Sequence, residues 1–123
     1  MASLPGEKGT LELGDDGVVY LRWLPGMRIE LEDARAAIAG VDELCQGQRP
    51  PLLVNMTGTS SLSRQARIEF AAPNAASRIA LLGSSPVDRM IVNFCLRRNP
   101  APCPTRFFTS SKEALAWLLE SKP

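Results

Sequence analysis

Apolar residues recur along the chain with two different periods, and each period predicts a different element. Short apolar or alternating runs bounded by Gly, Pro, Asp or Ser are typical of β-strands. The Asp15-Asp16-Gly17 turn between the first two runs predicts a β-hairpin. Strands are therefore predicted at 10–13, 18–24, 52–56, 79–82 and 106–109.

Apolar spacings of three and four residues predict four helices. The clearest helix covers 32–45, where one stripe runs along a single face. Serine residues that precede the other apolar stripes are typical N-caps, which satisfy the first free backbone N–H groups of a helix. The stripe of the first helix is Leu31, Ala34, Ile38, Val41 and Cys45, and the serine caps Ser63, Ser85 and Ser110 predict helices over 64–72, from 86 and from 111.

The predicted elements follow the order β-β-α-β-α-β-α-β-α, which is typical of an α/β fold. Strands that alternate with helices pair in parallel through right-handed crossovers. The pattern therefore predicts a mixed, mostly parallel sheet with helices packed against it. We expect a single domain over 10–123 and a flexible N-terminal segment over 1–9.

Composition argues against several classes of function. The chain has 123 residues, a formal net charge of +1 and no histidine. Without histidine, Ser-His and Cys-His catalysis and His-ligated metals are excluded, so we expect no enzymatic activity and no cofactor. The near-neutral charge does not favour nucleic acid, and no apolar run is long enough to span a membrane. Cysteines without a C-x-x-C pair are typical of a cytoplasmic protein.

Charge is divided unevenly along the chain. Residues 1–60 carry 5 basic and 9 acidic side chains, whereas residues 61–123 carry 9 basic and 4 acidic ones. One interpretation is a dipolar surface with internal ion pairs, and the other is a basic face for an anionic ligand or an acidic partner.

The segment 57–67 is the main candidate for function, because it follows a central strand and precedes a helix. Ligands of α/β sheets bind at the carboxyl ends of strands and at helix N-termini. The loop at 83–85 has the same position one strand later. Helix capping and solvated charge are the structural interpretations of these side chains. The candidate phosphoacceptor or contact residues are Thr59, Ser60, Ser61 and Ser63. The candidate anion- or partner-binding residues are Arg64, Arg67, Ser84 and Ser85.

The element order and three segments resemble the STAS domain, in its SpoIIAA-like branch of small STAS/SEC14-type bacterial proteins. The segments are LLVNMTG, RIALLGSSPVDRMIVNF and PTRFFTSSKEALAWL, and they are also similar to uncharacterised actinobacterial proteins. The resemblance covers residues 10–121. It implies a STAS/SpoIIAA-like fold and a non-enzymatic regulatory or interaction function similar to that of anti-sigma-factor antagonists.

The resemblance also implies a position for a regulatory site. Antagonists of this family carry a phosphorylatable serine at the start of the helix after the central strand, usually within a D-S-S-G tetrapeptide. That tetrapeptide is absent here, and Arg64 stands near the phosphoacceptor position, after Ser63. The contact region is therefore expected at 57–67, for protein–protein contact or anion sensing.

Partners follow from the same resemblance. We expect an anti-sigma factor or a kinase-like regulator, and a homodimer through an edge strand of the opening hairpin is a further option. The alternative function is a SpoIIAA/SEC14-like domain that binds a small molecule or a lipid.

Overall fold

The computed structural model describes residues 2–3, 8–57, 61–70, 76–98 and 104–120. Strands and helices alternate along most of these residues, as the apolar pattern predicts. The strands are β1 (Ala2–Ser3), β2 (Gly9–Leu13), β3 (Val19–Trp23), β4 (Arg28–Ile29), β5 (Leu52–Asn55), β6 (Ser61–Leu62), β7 (Ile79–Leu82) and β8 (Thr105–Phe108). The helices are α1 (Leu31–Cys45), α2 (Arg64–Phe70), α3 (Pro86–Arg98) and α4 (Ser111–Leu118).

The main sheet has the strand order β1-β2-β3-β5-β7-β8. Strands β1, β2 and β3 pair antiparallel, whereas β3, β5, β7 and β8 pair in parallel. The prediction of a mixed, mostly parallel α/β sheet is confirmed. We call the side on which β3, β5, β7 and β8 end the carboxyl edge of the sheet.

The turn between β2 and β3 forms as its sequence predicts. Gly17 has a φ of 84°, which a residue with a side chain rarely adopts. The Asp16 carboxylate accepts a hydrogen bond from the Val18 N–H at 3.0 Å, so a side chain and a glycine together close the hairpin.

Side-chain alternation along the strands divides the core between the two faces of the sheet. One face packs against α1 and α2, and the other packs against α4. The first cluster includes Leu11, Val19, Leu21, Trp23, Leu52 and Ile79 with Ala34, Ala37, Val41 and Cys45 of α1. The second cluster comprises Val18, Leu53, Ala80, Ala114 and Leu118, with Tyr20, Leu82, Phe108, Leu115 and Trp117 packed against it.

Two features differ from the prediction. No strand is predicted within the segment 1–9, but Ala2 and Ser3 form β1, which pairs with Leu11 and Thr10, and Gly9 begins β2. Strands β4 and β6 form a second, two-stranded parallel sheet where loops are predicted. Backbone hydrogen bonds build both features, and strands of two residues show no apolar period.

A buried arginine fixes α4 to the sheet. Arg78 is only 7% exposed, and its Nη1 atom donates a hydrogen bond of 2.5 Å to the Trp117 carbonyl. That carbonyl lies in the last turn of α4, where the helix dipole favours a cation. The guanidinium also lies 4.7 Å from the centre of the Trp117 ring, a distance typical of a cation–π contact.

We expect Arg78→Leu to lower the free energy of unfolding by about 2 kcal/mol, because a charge-assisted hydrogen bond and a desolvated cation–π contact are lost. Arg106→Leu is the matched control, since Arg106 lies 5.7 Å from the centre of the same Trp117 ring but is exposed. Urea unfolding followed by tryptophan fluorescence measures both changes. An equal loss in the two variants would contradict the anchoring role of Arg78.

The same face holds the chain's single tyrosine. The Tyr20 hydroxyl donates a hydrogen bond of 2.5 Å to Asp16. Burial, this hydrogen bond and the negative charges of Asp16 and Glu12 raise the pKa of Tyr20 to about 12. The neutral phenol is therefore the form that stabilises the hairpin.

We expect a loss of stability at alkaline pH that depends on Tyr20. The folded-state pKa lies above the ordinary value of 10.0, so the stabilisation is complete below pH 10 and is lost as the pH rises towards 12. Phenolate absorbance titrates the single tyrosine directly, and urea unfolding across this range measures the stability. Tyr20→Phe should remove this component, and an identical pH profile for both proteins would contradict it.

Candidate functional site

The two candidate loops leave the sheet side by side at its carboxyl edge. Strands β5 and β7 are parallel neighbours, with Asn55 opposite Leu82. The pairing continues past the strand ends, where the Met56 N–H donates to the Leu82 carbonyl at 2.9 Å and the Gly83 N–H donates to the Phe108 carbonyl at 3.0 Å. Segments 57–67 and 83–85 therefore start from adjacent points of the same edge.

The second sheet supports the segment before α2. In it, Arg28 of β4 is opposite Ser61 of β6, and Ile29 is opposite Leu62. The Ser63 N–H then donates to the Ile29 carbonyl at 2.9 Å. Candidate Ser61 thus belongs to a hydrogen-bonded strand that is held against the chain entering α1.

Ser63 is the N-cap of α2. Its Oγ atom accepts a hydrogen bond of 3.1 Å from the Ala66 N–H, which satisfies one of the free N–H groups at the start of the helix. This is the structural role that the sequence predicts for Ser63. Arg64, the next residue, is exposed at the first position of α2.

The structure adds one basic residue that sequence reasoning missed. Arg28 is exposed and occupies the register position opposite Ser61, so Arg28 and Arg64 flank the ends of the segment 61–63. The sequence signal for β4 was the Met27-Arg28-Ile29 run between Gly26 and α1. This run is too short to show the period of a strand.

Charge at the helix starts distinguishes α2 from its neighbours. An acidic residue lies in the first turn of α1, α3 and α4, but the described first turn of α2 contains none. Acidic side chains near a helix start offset the positive end of the helix dipole. With no acid in its described first turn and with Arg64 at its first position, the start of α2 suits an acidic group.

The loop before α3 is capped by its own side chains. Ser85 Oγ accepts a hydrogen bond of 3.2 Å from the Asp88 N–H. The Asp88 carboxylate, which is only 4% exposed, accepts one of 2.9 Å from the Ser84 N–H. These N–H groups and the Ser85 hydroxyl are therefore used within the loop, and Ser84 itself is exposed.

A close approach at Gly83 holds this loop in place. A Cβ atom at Gly83 would lie 2.7 Å from Asp88 Cβ and 2.7 Å from the Phe107 ring, closer than real side chains approach. Glycine therefore allows the Asp88 carboxylate to reach the Ser84 N–H. The hydrogen bonds and the close approach at Gly83 together define the conformation of the 83–85 loop.

The remaining candidates stand as follows. Thr59 and Ser60 lie outside the described residues, and the structure describes Ser61 and Arg67 by their backbone alone. Cys45 is buried, and its burial and the nearby Asp42 charge raise the pKa of its thiol, which disfavours the reactive thiolate.

Neither a metal-binding cluster nor a membrane-spanning helix occurs among the described residues. No group of three or more metal-binding side chains occurs among them. None of the helices in this part of the chain has the length and apolar character needed to cross a membrane.

Comparisons with known proteins support the fold. A family model described as a domain of unknown function, DUF7793, matches residues 12–122. The crystal structure of an uncharacterised protein from the DUF3478 family of Shewanella loihica PV-4, with a SpoIIAA-like fold, superposes with a TM-score of 0.61 and 18% identity. That match covers 89% of this chain and 91% of the other chain. The expected SpoIIAA-like fold is confirmed.

A second crystal structure is of a protein with unknown function from Arthrobacter sp. FB24. It is 51% identical, covers 91% of this chain and 100% of its own, and has a TM-score of 0.38. No curated protein matches the chain.

We expect Gly83→Ala to lower the free energy of unfolding by about 1–3 kcal/mol, because its Cβ must displace Asp88 or the Phe107 ring. Ser84→Ala, at the adjacent exposed position, keeps the backbone N–H that binds Asp88 and should change stability little. Urea unfolding measures both. If the two variants were equally stable, the close approach would not constrain the loop.

Proposed function

The chain belongs to the DUF7793 family, and we propose that it works as a non-enzymatic interaction domain whose partner binds at the start of α2. The binding surface, which we call the β6 surface, comprises β4, β6 and residues 63–66. The observation that carries the proposal is the pair of exposed arginines, Arg28 and Arg64, that flank a serine-containing strand, with no acid in the first turn of α2.

The chemistry of the β6 surface indicates what it recognises. Two exposed guanidinium groups next to a helix start favour carboxylates and phosphates. An acidic partner segment meets this requirement directly. A phosphate on one of the segment's serines, Ser60, Ser61 or Ser63, would instead neutralise the surface and reduce the affinity for an acidic partner.

This mechanism resembles the phosphorylation switch of anti-sigma-factor antagonists. It differs because the residue near the phosphoacceptor position is positively charged. Arg64 supplies a permanent positive charge near the position where the family pattern has a phosphoacceptor serine. We therefore propose that the unmodified protein is the form that binds, and that an anion at the segment weakens binding. The partner classes in view are an anti-sigma factor or a kinase-like regulator.

Affinity capture with quantitative mass spectrometry tests the β6 surface. We expect Arg28→Ala/Arg64→Ala to lose the partner by about tenfold or more, because removing charges at a complementary interface weakens association. The matched control is Arg22→Ala/Arg106→Ala, which removes the same charge from exposed positions of β3 and β8. Equal capture by both double variants would contradict the proposal.

Two further measurements separate the mechanism from its alternative. Mass spectrometry of the native protein reports phosphate on the 60–63 serines, and a phosphorylated fraction that captures the partner as well as the unmodified one would contradict the switch. Native mass spectrometry reports any co-purified small molecule or lipid. A stoichiometric ligand without a captured protein would favour the small-molecule or lipid-binding alternative.

A further inference from the structure

Helices α1, α2 and α3 form a layer on one face of the sheet. Helix α1 packs against β2, β3 and α2, and α2 and α3 follow the neighbouring strands β5 and β7. Right-handed crossovers place all three on one face. Arg89 of α3 lies 4.7 Å from the centre of the Phe107 ring, on the face opposite to that of Phe108, which packs with α4.

The outward side of α1 is acidic at both ends and small in the middle. Its buried positions are Ala34, Ala37, Val41 and Cys45, so residues 32, 36, 39 and 43 form the opposite stripe. Glu32, Ala39 and Glu43 are exposed and Ala36 is half-buried. Two carboxylates therefore flank a shallow surface of alanines.

The outward side of α3 has the opposite charge. Its acidic residue, Asp88, is buried at the start of the helix and bound to the Ser84 N–H. Arg89, Asn93 and Arg97 are exposed, and Met90 is exposed by 69%. Arg97 therefore lies on the outward side beside Met90, a long, flexible apolar side chain of the kind that adapts to a binding surface. Arg89 lies on the flank of α3, over the Phe107 ring.

Between them, α2 places a second exposed apolar residue. Ile68 is 51% exposed and lies on the side of α2 opposite to the buried Ala66. The layer thus presents acidic residues on α1, Ile68 beside Arg64 on α2, and arginines on α3.

We propose that this layer is the interface of a symmetrical homodimer whose two-fold axis runs along α2. Rotation about that axis places α1 of one copy on α3 of the other, twice, and brings the two Ile68 side chains together. An interface that is its own complement is what a two-fold dimer requires. The acidic and basic stripes meet this condition, because each copy supplies both.

Helix direction sets which charges meet. Helices α1 and α3 both run from the carboxyl edge towards the opposite edge, since each follows a strand ending there and precedes a parallel strand. Residues 32 and 43 are about 16 Å apart along α1, and residues 89 and 97 are about 12 Å apart along α3. In the dimer the two helices therefore run in the same direction, and the acidic stripe of α1 lies along the exposed arginines of α3 of the second copy.

One residue opposes the dimer. Arg64 lies one turn before Ile68 on the same side of α2, so two copies bring like charges near the axis. We expect Arg64→Ala to strengthen the dimer, whereas Arg89→Ala and Arg97→Ala weaken it. This contrast is specific to an axis along α2, because a generally basic interface would respond in the same direction at all three positions.

Charge exchange between the two stripes tests the interface. Sedimentation velocity should show a dimer for the wild type at low ionic strength. Glu32→Arg/Glu43→Arg and Arg89→Glu/Arg97→Glu should each weaken it by at least about tenfold. An equimolar mixture of the two variants should dimerise again, because each reversed stripe then meets its complement.

Matched controls make the result decisive. Glu12→Arg/Glu120→Arg and Arg22→Glu/Lys112→Glu change the same charges at exposed positions of β2, β3, α4 and the chain after it and should leave the dimer intact. Circular dichroism confirms folding of every variant. A monomeric wild type, or reversal variants that still dimerise individually, would overturn the proposal. Neither outcome depends on partner capture at the β6 surface, so the two proposals fail separately.

Discussion

The parallel register of β5 and β7 is the constraint on which both the core and the candidate site depend. Asn55 lies opposite Leu82, so the two strands end at the same level and their loops leave together. The same register directs Leu52 towards α1 and α2 and Leu53 towards α4. A shift of one residue would exchange these faces and expose both cores, which links the position of the loops to the stability of the fold.

The loops before α2 and α3 share a strand–loop–helix arrangement but have different roles. At α3, glycine at position 83 leaves room for the Asp88 carboxylate, which accepts from the Ser84 N–H, while Ser85 Oγ caps the helix by accepting from the Asp88 N–H. At α2, Ser63 also caps the helix. The first turn of α2 has no acidic residue, and the β4–β6 sheet holds the preceding segment in place instead. The arrangement at α3 positions the loop at the carboxyl edge of the sheet. The arrangement at α2 leaves the positive charge of Arg64 available to a partner.

Sequence reasoning succeeded where structure depends on chemistry within about four residues. The Asp16-Gly17 turn and the caps at Ser63 and Ser110 form as predicted, because each needs only a side chain and a nearby backbone N–H. The second sheet was missed because it joins residues 28–29 to 61–62, which are distant in sequence and too few to show a period. Arg28 was consequently absent from the predicted site.

The layer of α1, α2 and α3 gives a physical explanation for the uneven charge along the chain. Two ion pairs of the described residues, Lys8–Asp33 and Arg35–Glu69, already use charges of α1 internally, and the second of them joins α1 to α2. The exposed carboxylates of Glu32 and Glu43 take part in neither of these two pairs. A second copy can supply the complement. Arg64 lies where this face meets the β6 surface, so an anion there would reduce repulsion between copies while blocking an acidic partner. Self-association and partner binding would then be coupled in opposite directions.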